Sequence, residues 1–267
     1  MHRELNDGNR VLVGLIITFA LLIFCGYTAW EERESSKFWE EYIAEPVVKS
    51  EVEETEEEII EPIIDPNKPM VALTFDDGPS IYTDELLATL ETYDVRATFF
   101  VLGSRVEKFP ETIKKMDEIG CEIASHTYHH LDLSKLTLEQ VQGEIDVTNL
   151  ALTNVLGKSA ATIRPPYGAI SEEMKANIQY PFVMWSVDTT DWQSKDAGAV
   201  ANHVLNVAKD GDIVLMHDIY ASTVEAVKIM IPILQERGYQ IVTVSEMAEM
   251  RGITLENGQR YYSFYRE

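Results

Sequence analysis

Two neighbouring carboxylates and a pair of histidines form the combination of residues in this chain that is best suited to chemistry. Asp76 and Asp77 end the apolar, β-prone run Val-Ala-Leu-Thr-Phe, and His126 and His130 stand four residues apart further along the chain. Because consecutive side chains on an extended backbone point in opposite directions, one aspartate can bind a cation while the other accepts a proton. Both imidazoles can reach the same ion if their segment is helical or tightly looped, although His129 competes as a ligand. The pattern predicts metal-assisted hydrolysis.

Three later segments carry ionisable side chains in the same setting, directly after an apolar run. Arg164 follows the strand-like residues 161–163 and precedes Pro-Pro-Tyr-Gly, a segment stiff enough to aim a main-chain N–H at a reacting centre. Asp188 and Asp191 lie after a second such run, and His217 ends the run Ile-Val-Leu-Met. Taken alone, each residue is better explained as an ordinary ion-pair partner or a hydrogen-bonded strand end. Their recurrence in one layout favours a shared site.

Helix-like stretches separate these apolar runs. Alternation of strands with helices of this length indicates an α/β fold with parallel strands. In barrels of that kind catalytic residues sit at the carboxyl ends of the strands, which is where the ionisable residues fall. The stretches that we expect to be helical are 83–93, 110–119, 138–156, 171–178, 197–208 and 222–237.

The motifs resemble those of a known family, the polysaccharide deacetylases with the NodB-homology domain, also called carbohydrate esterase family 4. Thr-Phe-Asp-Asp-Gly-Pro from residue 74 is similar to the first motif, Ser-His-Thr-Tyr-His-His from residue 125 to the second, and Arg-Pro-Pro-Tyr-Gly from residue 164 to the third. Asp-Thr-Thr-Asp-Trp from residue 188 and Ile-Val-Leu-Met-His-Asp from residue 213 look like the fourth and fifth. The resemblance covers residues 69–250 in the family's order. It implies a distorted (β/α) barrel of the polysaccharide deacetylase type.

The resemblance implies a role for each residue on the metal side of the site. Asp77, His126 and His130 would hold one divalent metal ion, most often zinc, with cobalt or manganese as alternatives for such a ligand set. Asp76 would be the general base that deprotonates the attacking water. Arg164 would hold that carboxylate and tune it.

The same resemblance implies roles for five further residues. The backbone N–H of Tyr167 would stabilise the oxyanion of the tetrahedral intermediate. His217 would be the general acid toward the departing amine, kept protonated by Asp191, since a neighbouring carboxylate raises the pKa of an imidazole. Trp192 and Leu215 would shape the pocket for the acetyl group.

The implied function is a hydrolase that removes N-acetyl groups from N-acetylglucosamine residues of cell-wall peptidoglycan, with a metal-activated water as the nucleophile. The same chemistry on chitin oligomers, poly-N-acetylglucosamine or O-acetylated xylan is an alternative, because groove-lining loops decide substrate choice. A wall-binding or scaffold protein without turnover is an alternative of another class. The intact set Asp76, Asp77, His126, His130 and His217 weighs against it.

The amino-terminal part of the chain has a different composition. Residues 11–30 are uncharged and mostly apolar over the length that a helix needs to cross a bilayer, and a cleaved signal peptide is the alternative. Residues 31–67 are crowded with glutamate, and like charges this dense extend a chain. We expect a short cytoplasmic segment at 1–10, a transmembrane anchor at 11–30, an acidic extracytoplasmic stalk at 31–67 and a catalytic domain at 68–267. The protein is then single-pass in the cell membrane, with its catalytic domain outside the cytoplasm.

Charge and cysteine content exclude some other classes of protein. The 267-residue chain carries a formal net charge of −23, which argues against a nucleic-acid partner because phosphate binding relies on basic patches. Cys25 falls in the predicted anchor and Cys121 lies just before the histidine motif, so we expect no intrachain disulfide. The expected partners are a glycan polymer and the membrane.

Overall fold

The central strand of the structure, β1 (Met70–Asp76), is buried along its whole length. A seven-residue apolar and β-branched run predicts such a strand in a parallel sheet. The computed structural model describes residues 64–266, and in this range the chain has an α/β fold with a parallel sheet. The other strands of this range are β2 (Thr98–Val101), β3 (Glu122–Ser125), β4 (Phe182–Val183), β5 (Val187–Asp188), β6 (Asp212–His217), β7 (Gln240–Ile241) and β8 (Arg260–Tyr261).

The neighbours of β1 determine which residues share its carboxyl end. The sheet order is β3-β2-β1-β6-β5, and β7 pairs with the start of β1. Asp76 lies opposite His217 on β6 and opposite Phe100 on β2. Val101 in turn lies opposite Ser125, the last residue of β3. Because all these pairs are parallel, the strand ends that carry the predicted motifs meet at one edge of the sheet.

Isolated β-bridges continue the strand pairing beyond β3. Ser125 bridges to Ile163, and Ile163 bridges to Phe182 on β4. Strand β4 pairs with β8, and an antiparallel bridge joins Asp212 of β6 to Ser263 just after β8. These bridges connect the two sheets.

The strand expected at 161–163 is shorter in the structure than the sequence indicates. Only Ile163 makes β-bridges. Pro165 and Pro166 follow at once, and proline cannot donate the N–H that would extend a ladder.

The predicted helical stretches are confirmed, with every end within one residue of the expected position. Three α-helices were not expected from the sequence, and two of them have only four residues. The α-helices of the described range are α1 (Thr83–Thr92), α2 (Gly103–Val106), α3 (Pro110–Glu118), α4 (Leu138–Leu156), α5 (Glu172–Asn177), α6 (Asp191–Ser194), α7 (Ala197–Val207), α8 (Ala221–Glu236) and α9 (Val244–Met250). Two short 3-10 helices, Leu133–Lys135 and Pro166–Gly168, were not expected either.

Helix α4 has well-defined ends. Thr137 and Gln140 form a capping box, in which each side chain satisfies a backbone N–H of the other residue. Gly157 ends the helix in the left-handed conformation, with φ of 73°. The caps therefore fix the residues at which α4 begins and ends.

Side-chain alternation along β1 decides where the first carboxylate points. Leu73 and Phe75 belong to the core cluster that includes residues of the surrounding helices, whereas Met70 and Ala72 belong to a separate cluster. Because strand residues alternate between the two faces, Asp76 lies on the same face as Met70 and Ala72. This is the face on which the predicted site residues converge.

Between residues 64 and 266, no helix is both long and apolar enough to cross a membrane. The anchor expected at 11–30 and most of the expected stalk lie outside the described residues. Both therefore stay predictions, as do the domain boundaries.

Candidate active site

A cavity of about 420 Å³ opens at the carboxyl ends of β1 and β6. Eight of the ten predicted site residues line it. The other two, Arg164 and Asp191, are buried behind it and contact Asp76 and His217. The lining side chains are Asp76, Asp77, His126, His130, Tyr167, Trp185, Asp188, Trp192, Leu215, His217 and Tyr220.

Asp77, His126 and His130 point three possible metal-ligand atoms at one another. These atoms all lie within 4.8 Å of each other. Asp77 Oδ1 is 3.5 Å from His126 Nε2 and 3.2 Å from His130 Nε2. His126 Nδ1 lies 2.7 Å from the carbonyl oxygen of Arg164. A carbonyl can only accept, so Nδ1 carries the hydrogen and the Nε2 lone pair is left for a cation.

The donor set fits a divalent cation. Asp77 Oδ1 is buried and has no hydrogen-bond partner within the described range, which is costly for a carboxylate oxygen unless a cation binds it. Tetrahedral ligands about 2.0–2.1 Å from an ion lie about 3.3–3.4 Å apart, close to the distances from this oxygen to the two imidazole nitrogens. Burial lowers the pKa of His126 to about 3, although the charge of Asp77 opposes the shift, and so keeps the imidazole neutral. The structure therefore contains a possible Asp-His-His metal site.

The alternative ligand, His129, faces away from this cluster. Its Nδ1 lies 2.7 Å from Glu144 Oε1 on α4, and its side chain is 62% exposed. The residues between His126 and His130 form a loop rather than a helix, with Thr127 at φ 69° and His130 at φ 61°. The looped backbone brings the first and last histidines together and turns the middle one outward.

The second carboxylate, Asp76, is held by a buried arginine. Arg164 is fully buried, and its Nη1 lies 2.7 Å from both Asp76 Oδ1 and Thr74 Oγ1. Its guanidinium also donates to two main-chain carbonyls and stacks 4.0 Å above the centre of the Phe100 ring. Burial raises the pKa of Asp76, and the charges of Arg164 and His217 oppose that shift. Asp76 Oδ2 is 3.7 Å from His126 Nε2, on the cavity side.

On the opposite wall of the cavity, Asp191 orients His217 and stabilises its protonated form. Asp191 Oδ1 accepts from His217 Nδ1 at 2.8 Å, and Oδ2 accepts from the His217 main-chain N–H and from Thr223 Oγ1. Burial lowers the pKa of His217, but the hydrogen bond and charge of Asp191, together with Asp76 and Asp77, raise it to about 9. The imidazole is therefore cationic at neutral pH, with Nε2 left for proton transfer.

Aromatic and aliphatic side chains form the remaining walls. Tyr167 and Trp192 are 70% and 50% exposed, and Leu215 is buried. The Tyr167 ring packs edge-on against His130, with centroids 4.7 Å apart. Tyr167 has left-handed backbone torsions, φ 59° and ψ 9°, within the turn that begins after Pro165. This torsion turns the main chain sharply at the residue whose N–H was predicted to stabilise the oxyanion.

The turn after Asp77 is packed against Asp218, which the sequence did not single out. A Cβ atom on Gly78 would lie 2.2 Å from both carboxyl oxygens of Asp218, so only glycine fits there. Thr83 Oγ1 donates to Asp218 Oδ2 at 2.5 Å, and Ser80 Oγ donates to the Asp218 carbonyl at 2.6 Å. Burial raises the pKa of Asp218 to about 7. The turns that carry the first and fifth motifs are thus joined by a buried polar network.

Sequence reasoning missed several other residues of the site. Trp185 and Tyr220 line the cavity but are not predicted as site residues, and Asp188, which the sequence places in the fourth motif without a role, also lines it. Each lies within six residues of a predicted one, and this proximity is the signal that could have found them. Thr223 and Glu144 act from helices, and nothing local in the sequence marks them.

The chain is similar to known proteins over most of its length. A sequence model of the family described as Polysaccharide deacetylase matches residues 64–183. The chain is 36% identical over 219 residues to a Bacillus subtilis protein named peptidoglycan-N-acetylmuramic acid deacetylase PdaC, covering 79% of the chain and 47% of that protein. It is 41% identical over 193 residues to the Listeria monocytogenes peptidoglycan-N-acetylglucosamine deacetylase PgdA, covering 72% of the chain and 41% of that protein. The chain therefore spans less than half the length of these two relatives.

Two solved structures are similar over almost their entire length. One, described as T48 deacetylase with substrate, has a TM-score of 0.72 and 41% identity, and the match covers 74% of this chain and 100% of that one. The other is a family 4 acetyl xylan esterase from Clostridium thermocellum in complex with a cobalt ion, with a TM-score of 0.69, 34% identity, and coverage of 73% and 98%. The motifs, the fold and these matches agree, and the chain belongs to the polysaccharide deacetylase family.

Proposed function

We propose that this protein is a metal-dependent deacetylase that removes N-acetyl groups from N-acetylglucosamine residues of peptidoglycan. One observation carries the proposal: a possible metal site, a buried carboxylate and a cationic histidine face the same cavity. Each of the last two is held by its own partner, Arg164 for Asp76 and Asp191 for His217. A wall-binding or scaffold protein without turnover needs neither the buried carboxylate nor the cationic histidine.

The metal side of the cavity prepares the nucleophile. Asp77, His126 and His130 would hold the ion, for which we propose zinc, although the ligand set also suits cobalt. A bound divalent cation lowers the pKa of water and polarises a carbonyl oxygen. Asp76 then accepts the proton of the attacking water at Oδ2, because Oδ1 is occupied by Arg164. Burial raises the pKa of Asp76 above that of an exposed carboxylate, which makes it the stronger base.

The opposite wall completes the reaction. An amide nitrogen is a poor leaving group until it is protonated, so the C–N bond breaks only with a proton donor in place. His217 supplies that proton from Nε2, since Asp191 holds Nδ1 and keeps the ring cationic. The main-chain N–H of Tyr167 stabilises the negative oxygen, and Trp192 and Leu215 enclose the acetyl methyl group.

The substrate assignment is supported by the relatives and by two exposed aromatic side chains of the cavity. The two curated relatives are named for N-acetylmuramic acid and N-acetylglucosamine of peptidoglycan. Exposed Tyr167 and Trp192 offer ring faces at the cavity mouth, and sugar rings stack on such faces. A second candidate, an O-acetyl ester of xylan, is favoured by the similarity to the acetyl xylan esterase.

For the rest of the chain we propose the organisation expected from the sequence. Residues 11–30 anchor the protein in the cell membrane, and residues 31–67 form an extracytoplasmic stalk. The strands of the catalytic domain form a distorted barrel, and the bridges through Ile163 and Ser263 support this closure. Such an anchor places the catalytic domain beside newly exported wall glycans.

Acetate release tests the proposal. Purified protein with zinc or cobalt is incubated in parallel with peptidoglycan, chitooligosaccharides and acetylated xylan. Release of acetate from peptidoglycan would support both the proposed reaction and the proposed substrate. Release only from another polymer would support the reaction and assign a different substrate. Bound metal without acetate from any polymer would favour the non-catalytic alternative.

A further inference from the structure

Glu144 is a carboxylate in an unusual position, on the core-facing side of α4. It is only 9% exposed, and its neighbours on that face of the helix include Val141, Ile145 and Thr148. Carboxylates are rarely buried unless every oxygen is well partnered. Within the described range no lysine or arginine forms an ion pair with it.

Both carboxyl oxygens of Glu144 instead contact the histidine loop. Oε2 accepts from the main-chain N–H groups of Tyr128 and His129, at 3.0 and 2.8 Å. Oε1 lies 2.7 Å from His129 Nδ1. These contacts fall between His126 and His130, the two imidazole residues of the candidate metal site.

The loop needs such a partner because its backbone is unfavourable on its own. Thr127 and His130 both have positive φ, a backbone conformation that is strained for a residue other than glycine. The remaining contacts of the loop include the Gly103 N–H with the Thr127 carbonyl and the His130 N–H with Thr127 Oγ1. Tyr128 is also held by the Ser104 N–H, which donates to its carbonyl at 3.4 Å, and by Glu107, which accepts from its hydroxyl at 3.3 Å. Within the described range, Glu144 alone accepts from the main-chain N–H groups of Tyr128 and His129.

We propose that Glu144 is a positioning residue that holds the 126–130 loop in the shape that directs His126 and His130 at one cation. This inference rests on the metal site of the proposed function. Without the carboxylate, the metal-free loop samples other conformations, and only a fraction of the molecules can bind the cation at once. The apparent affinity for the cation is the intrinsic affinity multiplied by that fraction.

Zinc affinity of the metal-depleted protein, measured by competition with a chromophoric chelator, tests this role. Glu144→Ala is expected to weaken zinc binding about 10–100-fold, as loss of an outer partner of metal ligands does. Glu144→Gln is expected to stay within about threefold of the wild type, because its carbonyl oxygen still accepts both N–H groups. Asp146→Ala, on an exposed position of the same helix, is the matched control and should leave the affinity unchanged.

Amide hydrogen exchange in the metal-free protein gives a second readout. Exchange at Tyr128 and His129 should accelerate in Glu144→Ala and remain slow in Glu144→Gln. If Glu144→Ala does not fold, Glu144→Asp replaces it, since the shorter side chain withdraws the carboxylate from the loop and should weaken zinc binding in the same way.

The outcomes separate the two proposals. Wild-type protein that binds no zinc overturns the metal site and with it the role of Glu144. Wild-type protein that binds zinc, with equal affinity in Glu144→Ala, overturns the role of Glu144 alone. An equal loss of zinc affinity in Glu144→Gln and Glu144→Ala would also overturn it, because the hydrogen bonds from the two main-chain N–H groups would then not explain the loss.

Discussion

The two ends of the parallel sheet hold their ionisable side chains differently. At the carboxyl end, ionisable side chains are buried and paired with one another, with Arg164 and Asp191 at 0% exposure and Asp76 at 3%. At the amino end, Asp210 is partly exposed and pairs with the exposed Arg266 and the nearly buried Arg251. The buried Asp212 of the same end accepts, among the described residues, only from hydroxyl groups and a main-chain N–H. Burying a charge costs more free energy than an isolated pair returns, whereas an exposed pair costs and contributes little.

This difference indicates what each end does. The amino-end cluster ties chain segments together, since Asp210 Oδ1 also accepts from the Met70 N–H at the start of β1 and Arg266 donates to the Lys68 carbonyl. The carboxyl end holds charges in geometries that folding alone does not require. Residues that break ordinary burial rules are expected at functional sites. Substitutions at the two ends should therefore separate loss of activity from loss of stability.

The largest effect is expected from a metal ligand. Asp77→Ala should lose both the bound metal and activity, because the cation supplies several kcal/mol of charge stabilisation, or about 10³-fold or more in rate. Metal content and acetate release are measured together. His129→Ala is the control on the same loop and should retain metal, since its ring points away from the cluster. Full activity of Asp77→Ala would contradict the metal site.

A smaller loss is expected from the proposed base. Asp76→Asn removes the proposed proton acceptor but none of the three proposed ligands, so metal content should persist while kcat falls on the order of 10²–10⁴-fold. Near-normal turnover with bound metal would show that another group accepts the proton.

His217, on the opposite wall of the cavity, should make the activity depend on pH. Because the pKa of His217 is raised from 6.5 to about 9 with the help of Asp191, the ring should titrate near pH 9 in an NMR titration of the metal-free protein. The cationic ring is present below that pH and is lost as pH rises through it, so its stabilising contact with Asp191 is also lost there. Asp191→Asn should lower the pKa and move the alkaline fall of activity to lower pH. An unmoved profile would assign that fall to a different group.

The smallest effect on activity is expected at the amino end. Asp210→Ala removes the exposed ion pair with Arg266, the ion pair with the nearly buried Arg251 and one hydrogen bond to β1, so the free energy of unfolding should fall by about 1–3 kcal/mol. The kcat/KM should remain that of the wild type. A large loss of kcat/KM with an unchanged melting temperature would break the contrast between the two ends.

Much of the site could be predicted because its residues are local to strand ends. Asp76 and His217 each end an apolar run, and parallel pairing alone places such ends together. The long helices were equally predictable from their periodicity and caps, as Thr137 and Gly157 show for α4.

The features of the site and fold that could not be predicted depend on contacts between residues far apart in the sequence or on local backbone conformation. The choice between His129 and His130 as ligand rests on the left-handed backbone of the loop. Glu144 stands 14 residues after His130 on a helix, and it is recognised only once that helix packs under the loop. Two-residue strands such as β4 and β5 are defined by their partners and carry no periodicity of their own.

The most direct test of the central claim is acetate release from peptidoglycan by the metal-depleted protein before and after zinc is restored, alongside Asp76→Asn and His217→Ala. We predict no release without metal, recovery with zinc in the wild type, and zinc binding without recovery in both variants. Undiminished release from the metal-depleted wild type, or full recovery in both variants, would contradict the account.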